Sequence, residues 1–139
     1  MNLQGRCHCG QLHYELEWPD GAERIPARRC GCGYCSRFAG TWTSHPGAAL
    51  KLFTSGSESS TSYRFGTETA DFMICTTCGV VVAALCEIAG ELKAVLNIAT
   101  LDEVESLKFD AGDSDFDGES REQRMDRRAS RWIGNVLVQ

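Results

Sequence analysis

Seven cysteines gathered in three short clusters constrain this chain more than any other feature. The clusters are Cys7-His8-Cys9-Gly10, Cys30-Gly31-Cys32-Gly33-Tyr34-Cys35 and Cys75-Thr76-Thr77-Cys78-Gly79. Thiolates spaced this closely can converge on one centre, and Cys-x-x-Cys is a familiar zinc-ligand spacing. Glycine follows the last cysteine of the first and third clusters. There it permits the tight turn that aims backbone N–H groups at sulfur. One pair alone would suit a redox-active dithiol equally well, but three clusters within 139 residues argue for metal. Met1 to Gly10 shows no apolar stretch of signal-peptide length, and no segment approaches a membrane span. A cytoplasmic location is therefore expected, where thiols stay reduced and a disulfide scaffold is disfavoured.

Zinc closes structural sites with four ligands and keeps one position open in catalytic ones. Seven cysteines divide naturally as four plus three. Cys7 and Cys9 with Cys75 and Cys78 can close one site, clamping the N-terminal strand to the middle of the chain. Cys30, Cys32 and Cys35 can hold a second ion from a single loop. The spacing also admits a site built from Cys30, Cys32, Cys35 and Cys75. Water, a substrate sulfur, His45 and His8 are the candidates for a fourth position at the triplet. Cys86, at the end of an apolar run, reads as a buried core thiol.

Three thiolates on a divalent ion leave a net negative charge. Arg28, Arg29 and Arg37 flank the triplet, where they can offset that charge or receive a substrate carboxylate. Tyr34 lies inside the triplet as a pocket wall or hydroxyl donor. Phe38 and Trp42 are candidates for an apolar rim, with core packing the favoured role for Trp42.

The rest of the chain reads as a soluble, mainly β domain. Hydrophobic residues make up 42% of it and charged residues 24%, and the formal charge is −5. An acidic protein has no general attraction for nucleic acid or anionic membranes, so neither is an expected partner. Gln11 to Trp18 alternates, with Leu12, Tyr14, Leu16 and Trp18 on one side. A further strand is expected to end near Ile25. Others are expected over 41–44, 49–53, 61–65, 72–75, 80–84 and 94–98. Residues 1–109 are expected to form the zinc-binding β domain. Residues 110–139 are expected to form an acidic loop and a C-terminal helix packed on it. The loop, Asp110 to Ser120, lacks the glycine and terminal glutamate spacing of a calcium-binding EF-hand. Glu122 to Ile133 reads as a helix with Met125, Ala129, Trp132 and Ile133 on its inner face. The five arginines between 121 and 131 are expected on a solvated cationic face, with a binding patch as the alternative.

The cysteine clusters, their order and their spacing resemble the glutathione-dependent formaldehyde-activating enzyme family, also known as the centromere-protein-V-like family. The resemblance runs from Gly5-Arg6-Cys7-His8-Cys9-Gly10 through Cys30 to Arg37 and Gly40. It continues at Tyr63-Arg64-Phe65-Gly66-Thr67 and Cys75-Thr76-Thr77-Cys78-Gly79, and closes at Asn97-Ile98 and Leu101-Asp102. It implies an Mss4-like fold of small antiparallel sheets braced by two zinc ions. Cys7, Cys9, Cys75 and Cys78 would hold the structural ion, and Cys30, Cys32 and Cys35 the catalytic one. The implied activity is that of a carbon–sulfur lyase acting on a small thiol and an aldehyde, with glutathione as co-substrate. The alternative is a zinc-stabilised binding or scaffold protein without turnover. Family members commonly carry a histidine after the third Cys-Gly, where this chain has Val80.

Overall fold

The computed structural model describes residues 1–22 and 24–139. Alternating burial builds its first sheet. Strand β1 (Asn2–Arg6) and strand β2 (His13–Glu17) each bury every second residue, as expected for sheets with one face in the core. They pair antiparallel, and β2 continues onto β5 (Ala49–Phe53). Leu12, Tyr14, Leu16 and Trp18 are all buried, as the alternation predicts. A last strand, β11 (Asn135–Val138), adds parallel to β5 and completes the order β1-β2-β5-β11.

Among the described residues, the second sheet has seven strands. They are β3 (Ile25–Cys30), β4 (Thr41–Thr43), β6 (Ser60–Tyr63), β7 (Asp71–Cys75), β8 (Val81–Ile88), β9 (Glu91–Asn97) and β10 (Phe109–Ser114). Their order is β10-β3-β4-β9-β8-β7-β6. The main core joins the inner faces of both sheets, with Tyr14, Leu16 and Leu52 meeting Ile25, Val82 and Leu96. Between β7 and β8 the register slips at Met73/Ile74, leaving Val82 as an extra residue. This bulge resets the alternation of β8. Val82 and Ala83 both join the main core, while Val81 turns to the opposite face beside Phe72 and Val95. That opposite face is covered by helix α1 (Arg121–Arg131), with Met125 and Trp132 against Ala84 and Cys86.

Three expectations are corrected. Ile25 begins a strand rather than ending one. The acidic segment is not wholly loop, because Phe109–Ser114 forms the edge strand β10, parallel to β3. Its low strand propensity is offset by backbone pairing and by Arg28, which reaches the Asp110 carboxylate at 3.1 Å. Helix α1 starts from Ser120, whose hydroxyl accepts from the Gln123 N–H while the Gln123 side chain accepts from the Ser120 N–H. Its inner face carries Met125 and Trp132 as expected, but Arg128 takes the place expected of Ala129. Ala129 is exposed and Arg128 is only 6% exposed. Cys86 is buried, as expected. Among the described residues, no helix is long and apolar enough to cross a membrane.

Candidate metal centres

The first cluster joins two turns that leave the ends of β1 and β7. The Sγ atoms of Cys7, Cys9, Cys75 and Cys78 all lie within 4.8 Å of one another. Cys7 to Cys9 is 3.6 Å and Cys9 to Cys75 is 3.5 Å. These separations are far longer than a disulfide bond. They approach the edge of a tetrahedron with zinc–sulfur bonds of about 2.3 Å, which is roughly 3.8 Å. The donors therefore fit a zinc ion, and the alternative grouping of Cys75 with the triplet does not form.

Backbone geometry supports the thiolates. Gly10 and Gly79 have φ of +86° and +78°, a left-handed conformation that disfavours any side chain. The Leu12 N–H donates to Cys7 Sγ at 3.4 Å, and the Cys78 N–H donates to Cys75 Sγ at 3.5 Å. The Cys9 and Val80 N–H groups hold the Cys78 thiol down to about 6. Gln11 spans the two turns, accepting from the Thr77 hydroxyl at 2.8 Å.

The second cluster comes from one loop. Cys30 ends β3, and Cys35 begins a short 3-10 turn. Their Sγ atoms and that of Cys32 also lie within 4.8 Å of one another. The Cys35 N–H donates to Cys32 Sγ at 3.3 Å, which folds the loop back on itself. Gly40 leaves room for this fold, since a Cβ would lie 2.9 Å from the Phe38 ring and 3.2 Å from Cys35 Cβ and would push the ring aside. A hydrogen bond from Cys35 holds the Cys30 thiol down to about 6, and the same bond pushes Cys35 up. Among the described residues, no fourth histidine, cysteine, aspartate or glutamate joins the group. His45 packs edge-on against Trp18 and accepts from the Gly47 N–H. His8 is exposed and belongs to neither cluster. Three sulfurs thus offer a tetrahedral ion three ligands and leave one position for another group.

Cys30, Cys32 and Cys35 line a cavity of about 660 Å³. Its apolar wall includes Trp42, Phe65, Phe72 and Trp132. Tyr34 stands behind that wall, its ring centroid 5.1 Å from Phe38, 5.1 Å from Phe65 and 4.9 Å from Phe72. Burial pushes its hydroxyl pKa up. Of the three arginines flanking the triplet in sequence, Arg28 lines the cavity, whereas Arg29 and Arg37 are exposed and lie outside its lining.

The larger cationic contribution comes from α1. Arg124, Arg127, Arg128 and Arg131 all line the cavity. These four positions follow i, i+3, i+4, i+7 spacing, the signature of a single helix face. That stripe was readable in the sequence. The expectation of a solvated face, natural for arginines, is corrected by the burial of Arg128 and the place of all four in the cavity lining.

The chain matches the sequence model of the glutathione-dependent formaldehyde-activating enzyme family over residues 2–115. Among solved structures, a protein of Rhodobacter sphaeroides is similar at 28% identity and a TM-score of 0.52. The alignment covers 77% of this chain and 99% of that one. Helix α1 lies beyond the matched family region.

Proposed function

The chain belongs to the glutathione-dependent formaldehyde-activating enzyme family, and on that premise we propose that it is a zinc-dependent carbon–sulfur lyase. It forms or cleaves the adduct between a small thiol and an aldehyde, with glutathione and formaldehyde as the pair to test first. Cys7, Cys9, Cys75 and Cys78 hold a structural zinc ion. Cys30, Cys32 and Cys35 hold the catalytic one. The observation that carries this reading is the position of the three-sulfur cluster in the wall of a sizeable cavity, with no fourth protein ligand among the described residues.

Zinc bound at the triplet supplies a positive centre that favours the thiolate form of a thiol near neutral pH. The chain's own residues supply the remainder. Three thiolate ligands donate charge, which favours positioning a thiol over strong activation of a carbonyl. Trp42, Phe65 and Phe72 give the cavity a low-polarity wall that limits water beside the cluster. Arg28 and the arginines of α1 offer donors to a substrate carboxylate. Holding both reactants in one cavity turns a bimolecular encounter into a local one. Arg29, Arg37 and Tyr34 have no assigned part in this scheme.

The test is metal analysis followed by NMR exchange spectroscopy. Purified protein is expected to carry two zinc ions per chain, one for each cluster. It is expected to accelerate exchange between free thiol and hydroxymethyl thioether. Two bound zinc ions with no acceleration, for glutathione or any other small thiol and aldehyde, would leave a zinc-stabilised binding module instead.

A further inference from the structure

Arg128 is the most unusual cation in the molecule. It is 6% exposed and lines the cavity. Its Nη1 donates to the Thr69 hydroxyl at 2.8 Å and to Cys86 Sγ at 3.5 Å. Its guanidinium lies 4.8 Å from the centroid of the Trp132 ring. Its Nε is buried without a hydrogen-bond partner. Among the described residues, no carboxylate forms an ion pair with it. The nearby Glu119 is engaged by Arg127 through both oxygens and stands 3.7 Å from Arg124. A buried guanidinium with no carboxylate partner, and with Arg124 and Arg127 close enough to repel it, is costly unless an anion arrives to pair with it.

The surroundings say what kind of anion fits. Among the described residues, five arginines line the cavity (Arg28, Arg124, Arg127, Arg128 and Arg131) against two aspartates, Asp113 and Asp117. Arg28 is partly neutralised by Asp110, and Arg127 by Glu119. The wall beside Arg128 is formed by Trp132, Ala84, Phe72 and Val95. An inorganic ion would leave that apolar surface unused. We infer that Arg128 receives the carboxylate of an organic acid whose apolar body lies along this wall, so that the C-terminal helix selects acidic substrates. The inference rests on the lyase reading for the word substrate, but the carboxylate site itself does not depend on turnover.

The probes are 3-phenylpropionate and its neutral amide, 3-phenylpropionamide, which carry no thiol or aldehyde. Each is titrated into the zinc-loaded full chain, with binding followed by calorimetry and by the NMR signal of the Arg128 Nε–H. The acid is expected to bind roughly tenfold more tightly than the amide, as a charge-assisted pair should, and to shift the Nε–H resonance. Arg128→Met should erase the preference, Arg128→Lys should keep part of it, and Arg37→Gln, outside the cavity lining, should leave it intact. Equal binding of acid and amide overturns the inference. So does a preference that survives in a folded Arg128→Met protein, since the acid would then be bound elsewhere, for example at the zinc ion. If Arg128→Met does not fold, the wild-type Nε–H resonance decides: a shift with the acid that the amide, carrying the same ring, does not produce supports the carboxylate site, and equal shifts overturn it. Acid binding without adduct exchange removes the lyase reading alone. Adduct exchange without acid preference removes the carboxylate site alone.

Discussion

The two sulfur clusters use the same side chain and differ in where their ligands come from. The four-sulfur cluster collects pairs from turns at opposite ends of a long segment, and none of its thiols lines the 660 Å³ cavity. The three-sulfur cluster draws on six consecutive positions, Cys30 to Cys35, and every one of its thiols lines that cavity. Thiol chemistry therefore does not separate a clamp from a reaction centre. Ligand number and the surrounding space do. On the proposed reading, the first cluster contributes mainly to folding stability and the second mainly to chemistry, and four changes would break or sharpen that contrast.

The largest effect is expected from Cys75→Ser. Structural zinc binding contributes about 10 kcal/mol or more in small zinc domains, which is comparable to the whole stability of a domain of this size. The variant should lose its cooperative thermal transition and its near-ultraviolet circular dichroism. A variant that melts cooperatively near the wild-type temperature would show that the four-sulfur cluster is not a clamp.

Gly5→Ala should come next. Its Cβ would overlap the Tyr14 hydroxyl and the Thr100 carbonyl, and overpacking of this kind costs about 2–3 kcal/mol. Tyr14 and Thr100 are joined by a 2.9 Å hydrogen bond, so the strain falls on the base of β1 that carries Cys7. Urea unfolding measures the loss. The three-sulfur cluster should keep its zinc in the same variant, and loss of that ion would mean that the clusters are not independent.

Cys30→Ser should cost about 1 kcal/mol, as for a partly buried polar replacement. It should nevertheless reduce bound zinc from two ions to one and abolish adduct exchange. Global unfolding of this variant would erase the distinction between the clusters.

The smallest change is Ser120→Ala, which removes the N-cap of α1 at a cost of about 1 kcal/mol. Amide exchange should quicken in Arg121–Arg131, which forms a wall of the cavity, and stay unchanged around Cys7 and Cys75. Uniform quickening would show that the helix opens only with the whole fold.

Much of this was legible in the residues. The number and spacing of the cysteines suggest four ligands plus three, the family resemblance assigns which cysteines go together, and the clusters form in that grouping. Strands β2 and β5 follow from alternation and from the turns that flank them. The hidden parts depend on contacts between distant segments. Strand β10 has an acidic, glycine-containing sequence and is held as a strand by pairing with β3. The extra residue at Val82 shows itself only against Met73 and Ile74. The burial of Arg128 depends on Thr69 and Trp132 closing around it. Periodicity records the arginine stripe, but only the cavity shows that the stripe faces inward.

The separation of the ligands also orders events in time. Cys9 and Cys75 lie 66 residues apart, so the four-sulfur cluster carries the loop-closure entropy of a long segment. The three sulfurs between Cys30 and Cys35 carry almost none. As the chain emerges during synthesis, the triplet can assemble once Cys35 has appeared. The first two cysteines must wait for residue 78. A nascent chain short of zinc would therefore fill its local cluster first, and the clamp that fastens its N-terminus would close last.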